Sequence, residues 1–133
     1  MKIRAAVMTA PNRALEVADV ELDAPRRDEV LVRIEASGIC RSDLSYIDGK
    51  WPAPLPIVLG HEGAGVIEAV GDGVDPGRVG EQVVLTFSPA CGQCRSCARG
   101  RSVICESGLK FGYGITGGVR MHMKGQSGCD VVG

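Results

Sequence analysis

Apolar positions recur along this chain mostly at every second residue and in short runs, which is the period of strands rather than of long helices. Residues 3–9 form a first apolar strand candidate. Leu15, Val17, Val20 and Leu22, set among Glu16, Asp19 and Glu21, predict a second, with one break in the alternation at Ala18-Asp19. Val30, Val32, Ile34 and Ala36 alternate with Leu31, Arg33, Glu35 and Ser37 and predict the cleanest half-buried strand, running straight into Gly38-Ile39-Cys40. The pattern then loosens, and Ser42 or Asp43 could cap one or two helical turns ending at Gly49. Pro52, Pro54 and Pro56 forbid regular structure and hold the next segment extended. Residues 57–59 predict a buried strand arriving at Gly60-His61-Glu62. Val66, Ile67 and Val70 predict another that ends in the turn signals Gly71, Gly73 and Asp75-Pro76-Gly77. Residues 82–87 and 119–124 complete the set. The expected architecture is mainly β, with long functional loops.

Composition narrows the picture. At 133 residues the chain reads as one domain, able to bury roughly two thirds of its unfolded surface. A hydrophobic content of 44% against 23% charged is globular, and nineteen glycines and seven prolines describe a chain that turns often. The net charge of -1 argues against nucleic-acid or membrane-surface binding through bulk charge, so partners are sought in a site. Nothing resembles a membrane span or a signal peptide, and a cytoplasmic location is the expectation.

Four of the six cysteines, Cys91, Cys94, Cys97 and Cys105, fall within fifteen residues, spaced two, two and seven apart. Such a cluster is either a disulfide knot or a metal site. In a chain without a signal peptide we read metal, and four thiolates match the closed tetrahedral shell of a structural zinc better than an iron site. Residues 88–109 would then be a zinc lobe. Too few apolar residues lie there for a separate core, so the ion would supply the folding free energy.

Cys40 and His61 form a second pair worth weighing, because each follows a strand candidate and together they are half of a catalytic zinc shell. Their bland reading is a buried thiol and a satisfied histidine. A third ligand is needed, for which Glu62 and Cys129 are the nearby candidates. His122, on the polar side of its strand candidate, is assigned to solvent. The run Gly112-x-Gly114-x-x-Gly117 satisfies a dinucleotide fingerprint by letter, but no helical pattern follows it.

The run Gly60-His61-Glu62-Gly63-Ala64-Gly65, followed by Gly71 and Val74, resembles the zinc signature of the medium-chain alcohol dehydrogenases. Cys40-Arg41-Ser42-Asp43 and the four-cysteine lobe fall at that family's spacing from it. The finer pattern looks closest to the branch of thiol-adduct formaldehyde dehydrogenases and nicotinoprotein alcohol dehydrogenases. The resemblance implies a GroES-like catalytic domain over 1–133, a partly open β-barrel with short helices and a zinc lobe, without a Rossmann domain. By that resemblance Cys40 and His61 are ligands of the catalytic zinc and Glu62 lies close behind the metal. Asp43 receives the imidazole N–H, Ser42 takes the substrate proton, Arg41 contacts the cofactor pyrophosphate, and Cys91, Cys94, Cys97 and Cys105 hold the structural zinc. The implied reaction takes an alcohol to an aldehyde or ketone, with hydride passing to NAD(P).

Two departures qualify that expectation. The family's third zinc ligand is a cysteine well beyond position 133, and Cys129 comes too early to be it. Ser45 stands where many members carry a histidine that ends the proton relay. A truncated chain that binds zinc without turnover, self-associating through the exposed face that normally meets the cofactor domain, is the alternative expectation. A chaperone-like binding role would rest on the fold alone.

Overall fold

The computed structural model describes residues 1–86, 90–106, 121–123 and 130–131, and among these the protein is built mainly from strands. Strand β1 (Lys2–Met8) pairs antiparallel with β2 (Glu16–Leu22) on one side and with β4 (Ile57–Val58) on the other. On the far side of β2 lie β7 (Met121–Met123) and then β8 (Asp130–Val131), giving a sheet of order β4-β1-β2-β7-β8. A second sheet has the order β3-β5-β6, from Val30–Ser37, Gly63–Val70 and Gln82–Val84. Neither sheet closes on itself among the described residues, which fits a partly open arrangement.

The core of the first sheet follows from the two-residue period. Ile3, Ala5 and Val7 share one face of β1. The register sets Ile3 opposite Val20 and Ala5 opposite Ala18. Val7 and Val20 are completely buried beneath Val58, Met121 and Met123, and each contributes on the order of 1.5–3 kcal/mol by leaving water. The break at Ala18-Asp19 is not a bulge: pairing runs through it without a slip. The consequence is geometric. Val17 and Val20 fall on opposite faces, so Val20 is buried while Val17 is 65% exposed.

Strand β3 forms where its alternation predicts, but it is not half-buried along its length. Its pairing with β5 shifts between Leu31 and Val32 and again between Ile34 and Ala36. Each shift breaks the alternation of faces, and burial falls from intermediate at Val30, Leu31 and Val32 to exposed from Arg33 onward, with Ile34 at 49%. The buried member of this sheet is β5, whose Gly63, Gly65 and Ile67 alternate inward. Gly65 serves close approach: a Cβ there would stand 2.1 Å from the Arg33 carbonyl oxygen, a backbone atom that cannot swing aside. Gly65→Ala is therefore expected to lose about 1–3 kcal/mol of stability in denaturant titration. An unchanged midpoint would show that the β3–β5 spacing gives way freely.

Strand β6 is shorter than expected: it ends at Val84, although the Leu85 N–H still donates to the Gly63 carbonyl at 2.8 Å, and residue 87 lies outside the described set. Strand β7 occupies the middle of the expected 119–124 stretch, whose ends, like the side chain of His122, also lie outside it. Strand β8 was not legible, being two residues in a run without alternation. Residues 112–117 and Cys129 fall outside the description.

Helix α1 (Arg41–Ile47) begins directly after Cys40, and the short helix α2 (Arg95–Ala98) lies among the clustered cysteines. Pro76–Arg78 and Ser102–Ile104 are single 3₁₀ turns, the first capped by the Asp75 side chain, which accepts from the Gly77 N–H at 2.8 Å. Among the described residues of the cysteine lobe, Val103 is 78% exposed and Cys105 is fully buried, so apolar burial among them does not hold this segment together. Among the described residues no helix is long and apolar enough to cross a membrane.

The topology places the second candidate site. The last rung of the β3–β5 ladder joins Ser37 to Gly63, and beyond it the Gly38 N–H donates to the Glu62 carbonyl at 2.9 Å. Cys40 and His61, which trail β3 and β4, are thereby drawn to the same end of the sheet.

Candidate metal centres

In the lobe, chain geometry turns the thiols toward a common point. Cys94 is the N-cap of α2 and its sulfur accepts from the Cys97 N–H. The Cys94 N–H donates to Cys91 Sγ, and the Cys91 N–H donates to Cys105 Sγ, each at 3.3 Å. These N–H···S bonds fix the rotamers of three sulfurs before any ion is considered. All four sulfurs lie within 4.8 Å of one another. Cys94 Sγ and Cys105 Sγ are 4.0 Å apart, about twice the length of a disulfide bond of roughly 2.05 Å. The separation is instead close to the edge of roughly 3.8 Å that a tetrahedron with metal–sulfur bonds of about 2.3 Å would have. The four cysteines are free thiols.

The sulfurs differ in their electrostatics. Backbone N–H groups of Cys97 and Glu106 hold the Cys94 thiol below its ordinary range. Cys97 is pushed up to about 12, chiefly by desolvation and further by its hydrogen bond with Cys94, which favours the protonated thiol. Four soft donors gathered within 4.8 Å are a set that a divalent, thiophilic ion would complete. Zinc fits.

The second cluster combines Cys40, His61 and Glu62, one ligand atom of each lying within 4.8 Å of the others. Asp43 organises it. This buried carboxylate accepts the Cys40 backbone N–H through Oδ2 at 3.0 Å, while its Oδ1 lies 3.5 Å from His61 Nδ1. One side chain thus fixes the position of the thiol-bearing residue and the orientation of the imidazole. The helix cap is Cys40 itself, not Ser42 or Asp43; Asp43 reaches back from the first turn to the Cys40 N–H, the reciprocal half of a capping box.

With Nδ1 turned to Asp43, Nε2 is the ring atom left to face the cluster, and Ser42 Oγ sits 3.4 Å from it. The Ser42 hydroxyl and backbone N–H, with a contribution from His61, hold the Cys40 thiol below its ordinary range, against desolvation and the nearby Glu62 charge. A depressed thiol, an imidazole with its far nitrogen engaged and a carboxylate are a sulfur–nitrogen–oxygen donor set that suits zinc.

The structure thus brings Cys40, Ser42, Asp43, His61 and Glu62 together, and Cys91, Cys94, Cys97 and Cys105 separately. Arg41 stands exposed on the first turn of α1, its carbonyl accepting from Ser45 Oγ at 3.4 Å. Sequence reading missed the backbone donors to sulfur, although the C-x-x-C spacing that lets a following N–H reach a preceding sulfur was their signal.

Comparison with known proteins follows this geometry closely. The family described as "Alcohol dehydrogenase GroES-like domain" matches residues 26–129. An NDMA-dependent alcohol dehydrogenase of Amycolatopsis methanolica is 46% identical over 127 residues, covering 94% of this chain and 34% of that protein. An alcohol dehydrogenase zinc-binding domain protein from Burkholderia ambifaria superposes with a TM-score of 0.85 at 41% identity, covering 99% of this chain and 36% of the other. A cobalt- and zinc-bound thermostable alcohol dehydrogenase from Pyrobaculum aerophilum superposes with a TM-score of 0.75 at 33% identity, over 87% of this chain and 36% of its own. The chain spans about a third of the length of the curated relatives it matches.

Proposed function

Because the chain belongs to the zinc-dependent alcohol dehydrogenase family through its GroES-like domain, we propose that it supplies the metal-binding and proton-accepting half of an alcohol dehydrogenase. The substrate class is a small alcohol, and the product an aldehyde or ketone. Hydride acceptance is assigned to a nicotinamide held mainly by sequence outside these 133 residues.

One observation carries the reading: Asp43 bridges the Cys40 backbone and the His61 ring, and an imidazole nitrogen, a sulfur and a Glu62 oxygen lie within 4.8 Å of one another. A structural scaffold has no need of that arrangement. A zinc ion held by Cys40 and His61, with Glu62 beside them, would act as a Lewis acid toward the alcohol oxygen and lower its pKa. The remaining work falls to side chains. Asp43 holds the imidazole tautomer that leaves Nε2 without a proton. Ser42, 3.4 Å from Nε2, is placed to accept the hydroxyl proton and pass it on. Ser45 directs its hydroxyl to the Arg41 carbonyl, so the proton leaves Ser42 by water rather than along the helix. Arg41, exposed beside the cluster in sequence, offers a planar cation to a pyrophosphate. The lobe's four thiolates form a closed shell, and their zinc is assigned a structural role.

The test is zinc per chain. Protein desalted through a chelating resin is expected to retain about one zinc, in the closed four-thiol shell, and to take up a second on titration with zinc. His61→Ala is expected to abolish uptake of the second alone. If zinc above one per chain binds equally well to His61→Ala, the reading of the second site falls. In the same samples, alcohol-dependent reduction of added NAD that disappears in His61→Ala would show that this chain suffices for turnover. Saturating zinc uptake without NAD reduction would favour the metal-binding module.

A further inference from the structure

Glu62 is the exposed member of the second cluster, and a long exposed carboxylate has no reason of its own to stay beside Cys40 and His61. Its position is explained by the residue it lies on. A Cβ built on Gly38 would meet Glu62 Oε2 at 2.1 Å, Glu62 Cβ at 3.1 Å and Glu62 Cδ at 3.2 Å. The Glu62 side chain is therefore folded back over the bare Cα of Gly38, while the Gly38 N–H is bonded to the Glu62 carbonyl at 2.9 Å. Gly38 is not demanded by a left-handed backbone, since it is absent from the residues of positive φ. Nor is it demanded by burial, because the position is exposed. What a side chain there would take away is the space the carboxylate occupies.

We propose that Gly38 is a positioning residue: its missing side chain is the seat that keeps the Glu62 carboxylate within reach of a metal at Cys40 and His61. The inference rests on the reading of that cluster as a metal site. It makes Glu62 a placed oxygen donor of this chain. It also separates metal chemistry from folding. The sharpest clash is with the far end of a flexible side chain, so Gly38→Ala can be relieved by swinging the carboxylate into solvent at little cost to the fold.

The experiment loads Co²⁺ into the second site of protein whose lobe is already filled with zinc. It compares the parent, Gly38→Ala, Glu62→Gln and the double variant by visible absorption and by competition with a metal indicator. Gly38→Ala is expected to weaken Co²⁺ binding about as much as Glu62→Gln, by about tenfold. The two single variants should share one altered ligand-field spectrum and retain the sulfur-to-cobalt charge-transfer band of Cys40. The double variant should be no weaker than either single one. Retained lobe zinc and an unchanged thermal midpoint control for folding. A Gly38→Ala spectrum and affinity equal to the parent's would overturn the proposal, as would additive losses in the double variant, which would mean that Gly38 acts independently of Glu62. A parent that takes up no Co²⁺ at all would overturn the underlying site reading, and this proposal with it.

Discussion

A Cys105→Ser variant is expected to hold no zinc after passage through a chelating resin, where the parent holds about one per chain. Cys105 is 1% exposed, and its sulfur accepts the Cys91 N–H while lying 4.0 Å from Cys94 Sγ, so it is the inner corner of the four-thiol shell. Serine keeps the shape but cannot ionise near neutral pH, which leaves three thiolates and an open position on an ion that requires a closed shell for structural binding. Binding free energies of structural zinc in small peptides run to about 10–16 kcal/mol, and with no apolar core among the lobe's described residues that term is large. Residues 90–106 should then become accessible to protease. The Val7–Val20 core, built from other strands, should keep its cooperative transition. Elemental analysis with limited proteolysis decides the matter. One zinc retained per chain of Cys105→Ser, with the segment still protected, would contradict the assignment of the shell.

Asp43→Asn should cost the second site about 10–100-fold in metal affinity while leaving the fold nearly intact. The two oxygens of Asp43 do different work: Oδ2 accepts the Cys40 N–H at 3.0 Å, and Oδ1 faces His61 Nδ1 at 3.5 Å. Asparagine can preserve the first with its carbonyl. Its amide NH₂ then meets Nδ1 as a donor, which favours the tautomer carrying the proton on Nε2, the atom needed as a ligand. Helix α1 keeps its cap and the imidazole presents the wrong nitrogen. Competition titration of the second metal, with thermal unfolding as control, measures both effects. Equal affinity in parent and variant would mean that Asp43 serves only the helix. A large drop in the unfolding midpoint would mean that the carboxylate is chiefly structural.

Much of this was legible along the chain. The apolar run over residues 3–9 announced β1, but not which of its faces is buried, since Ala5, Ala6, Val7 and Met8 are all apolar and both Val7 and Met8 are buried. The spacing of Cys91, Cys94, Cys97 and Cys105 pointed to a four-thiol cluster, and the structure gathers the four sulfurs within 4.8 Å, because C-x-x-C forces sulfurs and the following N–H groups into one small volume. The pairing of Cys40 with His61 was suggested by their places after strand candidates and by resemblance, but no local pattern relates residues twenty-one positions apart. Less was visible where pairing overrode pattern. Strand β3 alternates as cleanly as any in the sequence, yet two slips in its ladder expose it beyond Val32.

By itself the sequence determined the strand-rich class, the four-thiol lobe and the residue types of the second cluster, since local periodicity and ligand spacing are properties of neighbouring residues. Tertiary structure alone decided that the Ser37–Gly63 rung would bring Cys40 to His61, that Asp43 would span both, and that Glu62 would lie on Gly38. Those are contacts between strands and loops distant along the chain. Their distances are set by register and close backbone approach, quantities that no stretch of residues carries alone.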